Sequence, residues 1–422
     1  MSEVLGIALP SGWEVVPLKH LTSVLNRGST PNYVDDGPVR AISQAANQTA
    51  GLDWSRTRFH GFAGDPMKLK GALQFGDVLI NSTGTGTLGR VGYFTGAPDN
   101  IPCMADSHIT VARAKTGELD SRFAYYWLSS APSYQYIYAA LVVGATNQIE
   151  LNRDRLGDAP VPLPPLEEQR RIANFLDTET AKIDALVSKK RRLVELLEER
   201  SDSRILRHVG ASALVARSTH LPVQPVRRLL AKVVRPPVAD VGTVTAYRDG
   251  HVTERTLRRA EGYTLSGSTE PQGQYVIPGD VVIHGLDGFA GAIGVSEAFG
   301  NCSPVYHVCE PQGGGDSHFF GRMLRLLALQ GYLGNFATST RERAVDFRNW
   351  EHFGRIPLPA VPMQEQRGIG AAIRRIRPLK ELVERSAALA AERRQALITA
   401  AVTGQFDVST TSGRNVTEGI TA

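Results

Sequence analysis

The sequence of this chain repeats itself once. At a separation of roughly 200 residues the same short motifs return in the same order, and a repeated unit constrains architecture before any single motif does. Residues 74–94 read QFGDVLINSTGTGTLGRVGYF and residues 276–296 read VIPGDVVIHGLDGFAGAIGVS, which sets Gly76-Asp77-Val78 against Gly279-Asp280-Val281. Gly89-Arg90-Val91-Gly92 likewise faces Gly291-Ala292-Ile293-Gly294. Further on, PVPLPPLEEQRRI (160–172) meets RIPLPAVPMQEQRGI (355–369), pairing Pro162-Leu163-Pro164 with Pro357-Leu358-Pro359 and Glu168-Gln169-Arg170 with Glu365-Gln366-Arg367. Fainter echoes join Val16-Pro17-Leu18-Lys19 to Gln224-Pro225-Val226-Arg227, and Val39-Arg40-Ala41 to Val244-Thr245-Ala246.

Each copy changes texture part-way. From about residue 11 to 160, and from about 222 to 356, short β-branched runs such as DVLIN, HITVA, DVVIH and VYHV are broken by Gly, Pro, Asn and Asp, the pattern of a globular domain of short strands. One amphipathic helix intrudes in each, at FAYYWLSSA (123–131) and FFGRMLRLLALQGYL (319–333). After each Pro-Leu-Pro the spacing becomes helical: Ile172, Leu176, Ile183, Leu186, Leu193 and Leu197 in the first copy, and Ile369, Ile373, Ile376, Val383, Ala390 and Leu397 in the second. Glu179, Lys190 and Arg393 interrupt these seams, which suits a two-helix packing better than a long fibrous coil. Pro378 predicts a short helix followed by a long one, with Asp177 capping the equivalent long helix in the first copy. Both stripes need covering, and packing them on each other covers them. The expected fold is α+β: two strand-rich domains separated by two long helices packed as an antiparallel coiled coil, a pseudo-two-fold internal repeat. The predicted divisions are 1–160, 161–212, 213–356 and 357–406, with a polar, disordered tail at 407–422.

Composition removes several classes. With 422 residues, 42% hydrophobic and 21% charged, the chain is an ordinary multi-domain globular protein. A formal net charge of +5 makes its surface tolerant of a polyanion. The cysteines are Cys103, Cys302 and Cys309, without a C-x-x-C pair, so no disulfide framework is expected and a reducing cytoplasm fits. Cys302, His307 and Cys309 cluster in a β-like run, where such residues are more often core than zinc ligands, and no metal is predicted. No apolar stretch is long enough to span a bilayer, and MSEVLGIALPSGW has no basic stretch before an apolar core, so no signal peptide is expected.

Two strand-rich domains, each followed by a long helix, with P-L-P-P-L-E-E-Q-R-R-I at the junction, resemble the specificity subunits of type I restriction-modification enzymes. The carriers are LPSGWEVVPLKHL (9–21), Gly-Asp-Val-Leu-Ile (76–80) with its echo at 279–283, both P-L-P…E-Q-R junctions, and Val402-Thr403-Gly404. The second copy departs from the pattern where Met363 and Gln364 replace the expected Leu and Glu, and where Pro236-Pro237 stand for Gly28-Ser29 of the first. The resemblance implies that the globular parts are target recognition domains, each reading half of a split double-stranded DNA site. It also implies that the helical parts hold them apart and bind two methyltransferase subunits, which modify adenine with S-adenosylmethionine, and motor-nuclease (restriction) subunits.

The chain itself is expected to be non-catalytic and to need no cofactor. It has no G-x-x-x-x-G-K-[ST] loop, no H-E-x-x-H, and no Asn-Pro-Pro-Tyr or Asp-Pro-Pro-Tyr run. Gly84-Thr85-Gly86-Thr87-Leu88-Gly89 fits G-x-G-x-x-G, but a dinucleotide site requires a helix directly afterwards. Arg90-Val91-Gly92-Tyr93-Phe94 reads as a second strand, hence a glycine-rich hairpin. Asp77 and Asp280 read as turn residues rather than nuclease carboxylates. Sequence discrimination needs hydrogen-bonding side chains at base edges, and loops must supply them. Candidates in the first copy are Ser43, Gln44 and Asn47, then Asn81, Ser82 and Thr83, then Asn147 and Gln148; in the second, Arg248, Asp249 and His251, then His284 and Asp287, then Arg341 and Arg343. The two sets differ in type, which predicts an asymmetric site. A helix from Thr178 to Val209 would span about 48 Å at ~1.5 Å per residue, room for a gap of about one duplex turn. Two other readings remain: a self-contained DNA-modifying enzyme with an unrecognised site, and a duplicated helical scaffold without a DNA role.

Overall fold

A computed structural model describes residues 2–49, 51–84, 86–143, 150–209, 221–258, 273–336 and 346–408. The duplicated Gly-Asp motifs each open the central strand of a four-stranded antiparallel sheet. In the first copy the strands are β1 (Thr22–Arg27), β3 (Val78–Asn81), β4 (Val91–Tyr93) and β6 (Ile109–Ala114), in the order β4-β3-β6-β1; β2 (Val39–Ile42) and β5 (Cys103–Ala105) pair in a second sheet. Helix α1 (Ser121–Ser129) then covers one face with Phe123 and Trp127, both buried. In the second copy β8 (Leu230–Lys232), β10 (Val281–His284), β11 (Ile293–Val295) and β12 (Tyr306–Pro311) repeat the order as β11-β10-β12-β8, covered by α3 (Ser317–Leu329). The residues aligned by sequence also share register: Val78 faces Tyr93 and Ile80 faces Val91, as Val281 faces Val295 and Ile283 faces Ile293. The counterpart of β2 is β9 (Val244–Ala246).

Even the faint echo at the start of each copy has a partner. Glu14–Pro17 pairs with β7 (Pro160–Leu163), Pro17 against Pro160, and Val223–Pro225 pairs with β13 (Pro357–Pro359), Pro225 against Pro357. Proline lacks a donor and is confined to such marginal, two-stranded ladders. Helix α2 (Leu166–Val209) and helix α4 (Met363–Val402) follow directly.

The chain divides into two compact units, residues 1–187 with 386–422, and residues 188–385, so that each long helix begins in one unit and ends in the other. In the first unit Ile172 and Leu176 of α2 enter the domain core together with Leu397 and Ile398 of α4, and Asp184 pairs with Arg394. In the second, Val194 and Leu197 pack on Ile376, Leu379 and Val383, with Glu198 paired to Lys380 and Arg204 to Glu365. Within each unit rising numbers on α2 meet falling numbers on α4, the antiparallel packing expected.

Three details differ from expectation. Helix α4 runs unbroken through Pro378, because the loss of one backbone donor is outweighed by the contacts of Ile376, Leu379 and Val383 on either side of it. Helix α2 likewise starts at Leu166 rather than at Asp177, whose carboxylate instead accepts from the Tyr126 hydroxyl at 2.7 Å and from Arg122 at 2.8 Å. The seam is also narrower than the stripe: Leu186 and Leu193 are 53% and 52% exposed, and Val194 takes the buried place beside Leu193. The expected tail from 409 onward, and the start of the second domain as far as 220, lie outside the described residues. None of the described helices is long and apolar enough to cross a membrane.

Candidate nucleic-acid interface

The two Gly-Asp aspartates are structural. Asp77 is fully buried and accepts two bonds from Arg113 at 2.7 Å and one from the Gln74 amide; Asp280 accepts from Arg235 at 2.6 and 3.1 Å and from the Ile277 amide. The turn N–H and a guanidinium pair with each carboxylate, which anchors the edge of the central strand. The arginine comes from β6 in one copy and from the segment after β8 in the other.

At the far end of the first central strand, the loops after β2 and β3 close on one another. Gln44 Oε1 accepts from the Thr83 hydroxyl at 3.1 Å and from the Thr87 hydroxyl at 3.4 Å, and Thr83 Oγ1 lies 2.8 Å from His108 Nδ1. Gln44 and Thr83 are half-buried, and with His108 they form a polar rim. Asn47, Asn81 and Ser82, expected at the surface, are fully buried beneath it. Asn47 donates to Asn81 Oδ1 at 2.9 Å, Asn81 to the Gln44 carbonyl, and Ser82 lies 2.5 Å from Thr110 Oγ1. These three hold the loops in place, because a buried amide or hydroxyl must find its partners inside the protein. Ser43 contributes its carbonyl to the Ala46 and Asn47 amides. His108 was not anticipated; it lies outside the duplicated motif, and nothing in its spacing marks it. Its amide donates to Asp106, whose carboxyl is pushed up by burial.

The second domain assembles a charged cluster at the corresponding end. Arg248, 68% exposed at its side chain, pairs with Asp287 at 2.9 Å. His284 Nδ1 accepts from the Leu286 and Asp287 amides at 3.1 and 3.0 Å, which leaves its ring proton on Nε2, and its edge meets Tyr306. Burial pushes the His284 imidazole down despite nearby Asp287, so it is neutral at neutral pH. Asp249 accepts from the His251 amide and from Arg258, which stacks over Tyr247 at 4.7 Å. Arg248, Asp287 and His284 are thus brought together from two loops, offering a guanidinium, a carboxylate and an imidazole, whereas Asp249 and His251 line a cavity with His318 and Lys380. Asn147, Gln148, Arg341 and Arg343 lie outside the described residues.

The glycine-rich run is a turn: β3 and β4 pair antiparallel across it and Val91 starts the next strand, with Thr85 outside the described residues. His307 Nε2 lies 2.5 Å from the Phe347 carbonyl, and Cys302 and Cys309 are buried, their thiols pushed up by burial. Among the described residues no group of His, Cys, Asp and Glu is arranged to hold a metal.

The duplicated junction has its own chemistry. Gln169, buried at the head of α2, accepts from the Asp120 amide at 2.8 Å and donates to the Glu118 and Pro164 carbonyls, while Asp120 caps α1. Gln366 repeats this at the head of α4, accepting from the Asp316 amide at 3.4 Å and donating to the Val361 carbonyl, with Asp316 capping α3. The glutamine of each E-Q-R therefore latches a long helix to the cap of its domain's helix.

Comparison with known proteins agrees with this architecture. Residues 10–196 match the family model of the type I restriction modification DNA specificity domain. A Methanocaldococcus jannaschii protein named putative type I restriction enzyme MjaX specificity subunit is 24% identical over 195 residues, 45% of this chain and 44% of that protein, so the match spans less than half of that relative. A chain solved in work on complex assembly and conformational transition of the type I R-M system is similar over 94% of this chain and 100% of its own, with TM-score 0.55 and 19% identity. The HsdS subunit of Thermoanaerobacter tengcongensis is similar over 94% and 98%, with TM-score 0.47 and 16% identity. The resemblance carried by the junction motifs is borne out.

Proposed function

We propose that this chain, a relative of type I restriction-modification specificity subunits, reads DNA and does not modify it. Its two globular parts, residues 1–160 and 213–356, act as target recognition domains, and its helical parts, 161–212 and 357–406, as the spacer. The observation that carries this reading is a duplication that preserves the scaffold and varies the rim. Sheet order, strand register, buried Asp-Arg anchor and glutamine latch occur twice. At the strand ends, Gln44, Thr83 and His108 in one copy give way to Arg248, His284 and Asp287 in the other. Amides and hydroxyls read base edges differently from guanidinium and carboxylate groups, so the two halves read different bases and the site is asymmetric and bipartite.

A duplicated scaffold also offers one partner protein two equivalent docking places. We infer that two adenine methyltransferase subunits, which bring S-adenosylmethionine, bind one chain, and that motor-nuclease subunits join this assembly. The test is to co-express the chain with the methyltransferase subunit encoded beside it and map methylated adenines across the host genome. One asymmetric motif with a fixed unspecified gap, lost when this chain is deleted, is expected. Methylation unchanged by the deletion would leave only a scaffold role.

A further inference from the structure

The two domains brace their loops with arginines taken from different places. In the first, Arg90 Nη1 donates to the Asn47 carbonyl at 3.1 Å and to the Gln48 side-chain oxygen at 2.9 Å, so a guanidinium at the start of β4 holds the loop that follows β2. In the repeat, Ala292 stands in the place of Arg90 and has no donor to offer. There the bond to the corresponding loop comes from α3, where Arg325 Nη2 donates to the Arg248 carbonyl at 3.1 Å. With the caps Asp120 and Asp316 aligned, the first domain carries Ser129 where the second carries Arg325. Each copy lacks the other's arginine.

Local backbone is shaped around Arg325. A Cβ at Gly250 (φ +88°) would come within 2.7 Å of Arg325 Cδ, and one at Gly291 (φ +94°) within 2.7 Å of the Arg248 carbonyl oxygen and 3.4 Å of Arg325 Nε. Only glycine suits such a conformation and such an approach. Arg325 therefore lies under both the turn that presents Arg248 and the turn that follows Asp287. It also lines a cavity of about 430 Å³ against α3, but that wall needs no external anion, since Arg322 is paired with Asp202 and Arg374 with Asp316. Its buried Nε has no acceptor among the described residues, so its place is set by packing and by the carbonyl it holds.

We propose that Arg90 and Arg325 are positioning residues, one for each half of the recognised DNA site. Each fixes the backbone of a reading loop, Gln44 and Thr83 on one side and Arg248 and Asp287 on the other, without itself touching DNA. This rests on the specificity reading above.

The test maps adenine methylation in cells that carry the full chain with its methyltransferase, comparing wild type with R90M, R90K, R325M and R325K. Lysine keeps a donor that reaches one carbonyl; methionine does not. R90M is expected to relax discrimination about ten-fold at one or two positions of one half-site, and R325M to do so in the other half only. Both lysine variants keep the wild-type motif. The salt dependence of DNA binding stays as in wild type, because no phosphate contact is lost. Relaxation of both halves by either variant, an unchanged motif in both methionine variants, or a reduced salt slope would overturn the proposal. Loss of all methylation in the lysine as well as the methionine variants would show general folding damage and count against it. A wild-type methylome without a bipartite motif would instead remove the functional reading on which it stands.

Discussion

His307 couples the second unit to pH through a single nitrogen. Its Nε2 lies against the Phe347 carbonyl, and its buried Nδ1 has no partner among the described residues, so adding a proton there places a charge without an acceptor. Burial pushes His307 down, as it does His251, His284 and His318 of the same unit. A histidine depressed in the fold leaves stability intact above the unfolded value near 6.5, and stability falls as pH drops below it, since the unfolded chain then takes up protons the folded one refuses. Thermal unfolding of the second unit should therefore move down between pH 7.5 and 5, and H307Q should make that slope shallower without abolishing it, since His251, His284 and His318 keep their share; an unaltered slope would refute the assignment. The Asp77-Arg113 pair allows a second prediction. R113M leaves a fully buried carboxylate without its cation, and urea unfolding should show a loss of about 3 kcal/mol, confined to the first unit. The sequence shows a Gly-Asp turn at both places, but not the arginine behind it, since Arg113 and Arg235 are supplied from unlike positions. For the same reason it misplaces Asn47, Asn81 and Ser82: a polar residue after a strand reads as exposed until the neighbouring loop folds over it.

Among the elements, the long helices depend on the glutamine latch as well as on their seams. Gln169 and Gln366 each satisfy a buried amide and at least one buried carbonyl, so Q169A and Q366A should each cost about 2 kcal/mol in denaturant unfolding. Their sites belong to different units, so the double variant should show the sum. A cost under about 0.5 kcal/mol would mean that water takes over the bonds. Strands, hairpins and the short amphipathic helices were legible locally, because Gly-Asp turns and period-2 runs act over a few residues. The helix starts were not. Asp177 has the chemistry of a cap and Pro378 that of a break, yet Tyr126 and Arg122 occupy the former and the packing of α4 on α2 overrides the latter.

For the molecule as a whole, two like scaffolds with unlike rims predict separable effects. Q44A with T83A should alter one half of the methylated motif, R248A with D287A the other, and neither should change the gap between them. Methylome mapping of the two double variants checks this, and a change in the gap would show that rim residues do more than read. The repeat, the antiparallel helices and the family resemblance were legible in the sequence alone, because order, spacing and hydrophobic period are properties of the chain itself. Which loop residues face outward, which arginine braces which loop, and where the helix seams run were decided only by tertiary structure. Those choices turn on contacts between residues far apart in the chain, where one buried donor can be supplied from several positions and spacing does not say which.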